Sequence, residues 1–419
     1  MTHVAILGGG ILGACCALEA QREGFDVTLI EPEAPGGEQA ASYGNGCWLS
    51  PQSVVPPAVP GLWKKLPKFL MDPLGPLAIR WPYLPRVAPW LIRYLAAGWT
   101  EAKVLRTGHA LRALLEGAPQ RHAALAAEAG VPELIERKGL LYIYPSRAAF
   151  EAEALAWRVR AATGVRWLEL DADELRQREP ELDRRYGFGV LVEEGGNCRD
   201  PGAYVAALVA LAERQGMRRV RARATGFRLA AGRLAAIETE QGEVPAARAV
   251  ISAGVRSGPL AASLGDHVPL ESERGYHAVI ADPEVGPRTP MMPSDGKMSV
   301  TMTAAGLRCA GQVEIAGLEA EPNWKRAEIL RDHLLRSFPG LPRDLDPARV
   351  KVWMGHRPST PDGLPVIGLA RATPDVVHCF GHGHVGLVAA PRSAEVVGAL
   401  LAGRRPEPDA APYSPSRFR

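Results

Sequence analysis

Residues 3–7 (HVAIL) form a short, mostly apolar run that ends in glycines, the pattern of a parallel strand buried on both faces. Ile11–Glu23 reads as a helix, closed by Gly24 as its left-handed cap. Asp26–Ile30 is a second buried strand and delivers Glu31 at its end. These pieces make a complete strand–turn–helix–strand unit. Residues 101–130 are an Ala/Leu-rich helical stretch, Gly139–Tyr144 is strand-like, and Arg147–Thr163 is again helical. A second α/β region opens at Asp200-Pro201, an N-cap followed by proline at the first helical position. It continues through a helix at 202–215, strand-like segments near 218–228 and 233–240, and the buried run 249–254. From about 268 to 352 the pattern is β-rich, with a helix at 324–336. A glycine-rich turn at 381–386 opens a final helix to about 402, and the Pro- and Arg-rich tail 404–419 is expected on the surface.

Composition narrows the class. At 419 residues the chain exceeds one typical domain, and 47% apolar with 23% charged residues suits a globular protein with a sizeable core. A net charge of +3, with no tract of Lys or Arg, gives no electrostatic footprint for nucleic acid. The six cysteines include no Cys-x-x-Cys pair, which points away from a zinc site or disulfide framework. No basic-then-apolar leader is visible at the N-terminus. A reducing, cytoplasmic setting is therefore expected.

The first turn carries the chemistry. Gly8-Gly9-Gly10-Ile11-Leu12-Gly13 fits G-x-G-x-x-G. Gly8 permits the tight turn, Gly10 allows a pyrophosphate to approach the backbone at Ile11 and Leu12, and Gly13 lets helix and strand pack closely. The pyrophosphate would sit on the helix N-terminus, where free N–H groups and the dipole favour an anion. Glu31 would accept from ribose hydroxyls, which favours FAD or NAD over NADP. The loop alone does not separate those two.

Three later segments do. Ala40–Gly46 (AASYGNG) is a small-residue loop on which a flavin ring can lie, with Ser42, Asn45 and Gly46 as contacts. Gly355-His356-Arg357-Pro358-Ser359-Thr360-Pro361-Asp362-Gly363-Leu364-Pro365-Val366-Ile367-Gly368 and Phe380-Gly381-His382-Gly383-His384-Val385-Gly386 follow in order. In this order and spacing the chain resembles the D-amino-acid oxidase superfamily of FAD-dependent oxidoreductases, with bacterial D-amino-acid dehydrogenases, including the D-hydroxyproline dehydrogenase branch, as the nearest likeness. The likeness covers nearly the whole chain and includes Asp200-Pro201, Ser252-Ala253-Gly254 and Arg274-Gly275-Tyr276.

The resemblance implies an α/β fold: a Rossmann-like FAD-binding domain with an interleaved, β-rich α+β substrate domain. The FAD-binding part would comprise 1–60, 195–265 and 350–403, and the substrate part 61–194 and 266–349. It also implies that Ala224 passes the adenine, that Gly254 lies near the pyrophosphate, and that FAD is bound noncovalently. The cysteines fall outside the Arg357 motif.

Oxidising an amino acid with flavin moves a hydride from Cα, so the site must fix the carboxylate and accommodate charge on the reduced ring. Arg357 is the candidate for the carboxylate, because its planar fork matches one bidentately. Tyr276 is the expected second substrate contact. The turn Gly381–Gly386, with Gly355 beside it, would aim backbone N–H groups of Gly383 and Gly386 at the ring. His382 is expected around the flavin and His384 in the pocket lining. No dedicated base is required, since solvent can take the amine proton. The expected reaction is oxidative deamination of a D-amino acid, with D-proline or hydroxyproline types included, giving an imino acid that hydrolyses to a 2-oxo acid unless cyclic. A quinone or an electron-transfer partner is the expected acceptor. A glycine- or sarcosine-type oxidase using O2, and a flavin subunit of a larger complex, stay open as rivals.

Residues 51–100 hold four of the nine Trp, interleaved with Lys64, Lys65, Lys68, Arg80, Arg86 and Arg93. The plainer reading is a Pro-rich cover over the substrate domain with snorkelling cations. The alternative is peripheral contact at the inner membrane.

Overall fold

A computed structural model describes residues 2–65, 71–72 and 74–418. Two sheets organise it. The first has six strands, five of them parallel: Arg218–Val220, Asp26–Ile30, His3–Leu7, Arg248–Ile251 and Val376–Phe380 lie side by side, and Val366–Leu369 closes one edge antiparallel. Their apolar runs are buried because both faces are covered. Helices Ile11–Arg22, Pro201–Arg214 and Gly386–Leu401 pack on one face around Val4, Ile6, Leu208 and Val397. An antiparallel meander, Ala224–Ala230, Arg233–Thr239 and Gly242–Pro245, covers the other around Ala5, Leu7 and Ile237.

The second sheet is the larger. Its path runs from Val350–Ser359 through Glu271–Ile280, Gly306–Ile315, Ser299–Thr303 and Met291–Pro293 to Leu140–Tyr144, Phe188–Val192 and Leu168–Leu170. Leu77–Ile79 adds to Gly306–Ile315 in parallel. Helix Lys325–Ser337 seals one face around Tyr276, Ala278, Leu330 and Leu334.

Two sequence expectations change. The boundary expected at 350 falls later, because Val350–Ser359 is fully paired with Glu271–Ile280 as the end strand of the large sheet. The helical stretch 101–130 breaks into Glu101–Leu115 and Ala118–Ala129, since Gly117 takes φ +68° between them. The tail lies on the surface and is anchored there: Tyr413 is buried, and Arg417 pairs with Asp362 at 2.7 Å and donates to the Leu364 carbonyl.

Segment 51–100 divides. Trp90 is buried with Val87, Leu91 and Tyr94 against Ile315, whereas Trp63, Trp81 and Trp99 stay exposed. Lys68 and the Lys65 side chain lie outside the described residues. Among the described residues no helix is long and apolar enough to cross a membrane.

Candidate active site

One cavity of about 1440 Å³ runs between the two sheets. That exceeds the roughly 300–1,000 Å³ of ordinary small-ligand pockets and suits a dinucleotide with a small substrate beside it. At one end stand Glu31, Arg223, Ala224 and the 8–12 loop. Ser42–Gly46, Gly254 and Gly381–Gly386 follow, and Arg357, Gln312 and His384 stand at the other end.

The nucleotide end is built from backbone. Gly8 has φ +108°, and a Cβ there would lie 2.6 Å from the Ser252 carbonyl oxygen. Gly13 is packed still harder: its Cβ would fall 1.8 Å from the Gly8 oxygen. Gly13 therefore supports the loop from beneath, while Gly8, Gly10, Ile11 and Leu12 line the cavity. Gly10 caps the first helix without any side-chain bond. The Ser42 hydroxyl accepts from the Ile11 N–H at 3.1 Å, so it helps close the helix start as well as facing the cavity. Glu31 accepts from Gly9 N–H at 2.6 Å and from Glu33 N–H at 3.1 Å. Each carboxylate oxygen keeps a lone pair for a ribose hydroxyl. A cradle that any Cβ would fill, under a helix start, fits the diphosphate of FAD.

At the middle of the cavity the expectations need adjusting. Asn45 uses its amide oxygen locally, accepting from Cys47 N–H at 2.8 Å, where Cys47 is held at φ +67°. That bond orients the side chain, a consequence of the short-range turn that Asn readily forms. Gly46 and Gly44 line the wall, and a Cβ on Gly44 would strike the Trp353 ring at 1.9 Å. The same ring forbids a side chain at Gly355, where a Cβ would lie 2.0 Å from it. Trp353 stacks on buried His277 at 5.2 Å and donates to the Glu38 carbonyl, forming a flat wall that the sequence reading missed. His382 is buried behind its turn and shares a 3.0 Å hydrogen bond with Ser393 Oγ. Burial lowers its pKa to about 3, so its ring is neutral. The next helix starts at Gly386 with no side-chain cap and presents Gly386 and Leu387 to the cavity. Its positive end favours negative charge there.

The substrate end is built from side chains. Arg357 lies over Gly275, whose added Cβ would be 2.2 Å from the guanidinium carbon. It donates to the carbonyls of Gln312 at 2.9 Å and Gly311 at 3.4 Å, which fixes the fork while leaving other N–H groups for a carboxylate. Burial lowers the Arg357 pKa from its ordinary value, and Glu273 opposes that. Gln312 holds a left-handed φ of +61°, uncommon for a residue with a side chain, where the strand pairing slips opposite Arg274–Tyr276. That kink points its carbonyl at Arg357, while its Oε1 accepts from Arg326 at 2.6 Å.

Tyr276 is a correction. It is 1% exposed and does not line the cavity. Its hydroxyl donates to Glu314 at 2.7 Å and accepts from Asn323 N–H at 3.0 Å. Strand alternation explains this: Gly275 faces the cavity under Arg357, so its neighbour must face the helix-covered side. The same alternation places Glu273 beneath Arg357. Glu273 is 3% exposed and accepts from Ser359 Oγ at 2.9 Å, with His384 Nε2 at 2.7 Å. Burial alone would raise its pKa, but His384, Ser359 and Arg357 together hold it below the ordinary carboxylate range.

The chain is similar to known proteins. The model of the family described as FAD dependent oxidoreductase (DAO) matches residues 3–400. The chain is 62% identical over 416 residues to a protein of Bradyrhizobium diazoefficiens named D-amino-acid oxidase, covering 99% of each. It is 31% identical to a Methylobacterium protein named D-amino acid dehydrogenase, covering 100% of this chain and 99% of that one. Among solved structures, L-proline dehydrogenase from P. horikoshii superposes with a TM-score of 0.72 at 18% identity, covering 100% of this chain and 97% of the other. Glycine oxidase from Geobacillus kaustophilus gives 0.71 at 19%, covering 100% and 99%. At such identity these two speak for the fold alone.

Proposed function

The chain belongs to the DAO family of FAD-dependent oxidoreductases, and from that premise we propose that it oxidises a D-amino acid to the imino acid. The imino acid then hydrolyses to a 2-oxo acid and ammonia, unless it is cyclic, as from D-proline or hydroxyproline. The observation that carries this reading is a continuous cavity lined both by a backbone cradle for a diphosphate and by Arg357.

FAD, held noncovalently by Gly8–Leu12, Glu31, Ser42–Gly46, Ala224, Gly254 and Gly381–Gly386, supplies a two-electron acceptor when bound. The chain's own residues do the rest. Arg357 holds the substrate carboxylate, positioned by the Gln312 and Gly311 carbonyls and by Gly275 beneath it. Val59, Leu62, Leu77, Val313 and Leu318 wall this end and exclude water from the reacting Cα. The start of the Gly386–Leu401 helix favours the negative charge that develops across the cavity. An anaerobic screen of paired D- and L-amino acids tests the reading: one or more D-enantiomers should bleach the bound flavin, and bleaching by none, or by L-enantiomers only, would refute it.

A second reading concerns the electron acceptor. Trp63, Trp81, Ile92 and Trp99 are each at least half exposed and share one segment with Lys64, Arg86 and Arg93. Aromatic side chains beside cations favour contact with a lipid surface, and so transfer of electrons to a membrane quinone rather than to O2. Flotation with anionic liposomes should carry the protein to the top of the gradient. Rapid reaction of the reduced protein with O2 in stopped flow would point to an oxidase instead.

A further inference from the structure

Resting on that reading, we propose that His384 and Glu273 form a proton-accepting pair: His384 takes the proton of the substrate ammonium, and Glu273 positions and counter-charges its ring. The requirement is chemical. A free amino acid near neutral pH carries an ammonium, and a C=N bond forms only when the nitrogen lone pair is available. One proton must therefore leave nitrogen before Cα is oxidised. The apolar walls of the substrate end, Val59, Leu77 and Val313, offer that proton no acceptor of their own.

The geometry supplies an acceptor. His384 lines the cavity with its side chain 41% exposed, while the carboxylate it meets at 2.7 Å is only 4% exposed. An ionised Glu273 accepts from Nε2–H, which fixes the tautomer and leaves Nδ1 as a lone-pair acceptor. Among the described residues Nδ1 has no partner. Ser359 Oγ donates to the same Glu273 oxygen at 2.9 Å and holds it in place. Arg357 adds its positive charge against Glu273. An amino acid whose carboxylate is held by Arg357 carries its ammonium only one carbon away, on the same wall.

The balance of charge favours the transfer. The surrounding charged or titratable groups are Glu271, Glu273 and Arg274 on strand Glu271–Ile280, Arg357 and His356 on strand Val350–Ser359, Tyr94 on helix Leu84–Ala97, Arg256, and His382 in the same turn. Burial, then the charges of Arg274 and Arg256, lowers His356 to about 4, and burial leaves His382 neutral, so neither competes as a base carrying a counter-ion. Once the substrate carboxylate neutralises Arg357, Glu273 remains as a negative charge against the ring of His384. In the step itself the ammonium N–H bond breaks and an Nδ1–H bond forms. No electrons change hands, and the exposed edge of His384 later releases the proton to solvent.

The test is single-turnover, anaerobic bleaching of the holoprotein by a D-amino acid across pH 6–10. A positioned general base is worth about 10²–10⁴-fold. His384→Asn should therefore slow bleaching about 100-fold near pH 7, recover roughly tenfold per pH unit as the substrate amine loses its own proton, and regain rate with added imidazole. Glu273→Gln should show the same pH-dependent loss to a smaller degree. Retention of FAD and of the visible flavin spectrum checks folding. A readout free of turnover is ¹⁵N-histidine NMR with 2-aminoisobutyrate, which lacks a Cα–H. One imidazole, missing in His384→Asn, should become imidazolium on binding. An equal loss at every pH, no loss at all, or an imidazole that stays neutral would overturn the pair. Failure of the wild-type protein to bleach with any D-amino acid would instead overturn the proposed function.

Discussion

The two ends of the cavity are made of different material. The nucleotide end is made of glycines and main chain: Gly8 and Gly13 leave room for nothing but hydrogen, and the nearby histidines, His277 and His382, are buried and neutral. The substrate end is made of side chains: Arg357 and Gln312 from separate strands and His384 from the final turn line it, with the buried Glu273 carboxylate bonded to His384 behind them. A backbone cradle tolerates almost no substitution, whereas a side-chain site can be retuned one residue at a time. The first should be shared by every member of such a fold and the second should differ between substrates.

The harshest way to break the cradle is to add one methyl group. Gly13→Ala puts a Cβ where the Gly8 oxygen stands, and Gly8→Ala adds left-handed strain to a clash with Ser252. Either should lose FAD outright, read as the visible-absorbance ratio of the purified protein; overpacking costs of about 1–3 kcal/mol come in addition to the strain. A normal flavin content would contradict the packing described.

Acid probes the buried, neutral histidines. Burial lowers His122 and His382 to about 4 and about 3, and burial with the charge of Arg308 lowers His277 to about 3. Each unfolded histidine takes a proton near pH 6.5 that the native state refuses, so the unfolded chain binds more protons and stability falls as pH drops. The loss begins near pH 6.5 and continues toward pH 4. Each such proton contributes about 1.4 kcal/mol per pH unit within that window. Thermal melts at stepped pH should fall steadily over this range, and a flat profile would contradict neutral burial.

A smaller effect is expected at Gln312. Gln312→Ala removes the acceptor of an Arg326 N–H in the interior and should cost about 1–3 kcal/mol in denaturant unfolding. Gln312→Gly should regain a part of that by relieving the left-handed backbone. The mildest change is Trp81→Ser, on an exposed side chain, which should alter stability by less than about 0.5 kcal/mol. Its effect belongs in the liposome flotation assay.

How far the sequence could be read follows the same division. The strand–turn–helix unit, the roles of Gly8 and Gly13, and the final glycine turn were legible, because their constraints act within a few residues. The substrate end depends on which strands meet. Tyr276 was misplaced because Arg274-Gly275-Tyr276 does not declare which residue faces inward. Once Gly275 is known to lie under Arg357, a period of two puts Glu273 and His277 on the same strand face as Gly275 and Tyr276 on the far side. Gln312 carried no local signal, since its kink arises from a slip between paired strands. The docking of Tyr413 and Arg417 was likewise hidden, being set by Ala110 and Asp362 far away in the chain.

The division of labour between the two ends is tested most directly by Arg357→Gln. The account predicts a variant with full FAD content and a normal flavin spectrum whose anaerobic bleaching by a D-amino acid is slowed at least about 100-fold, as expected when a charge-assisted bidentate contact is lost. Loss of FAD from this variant, or bleaching at the wild-type rate, would contradict it.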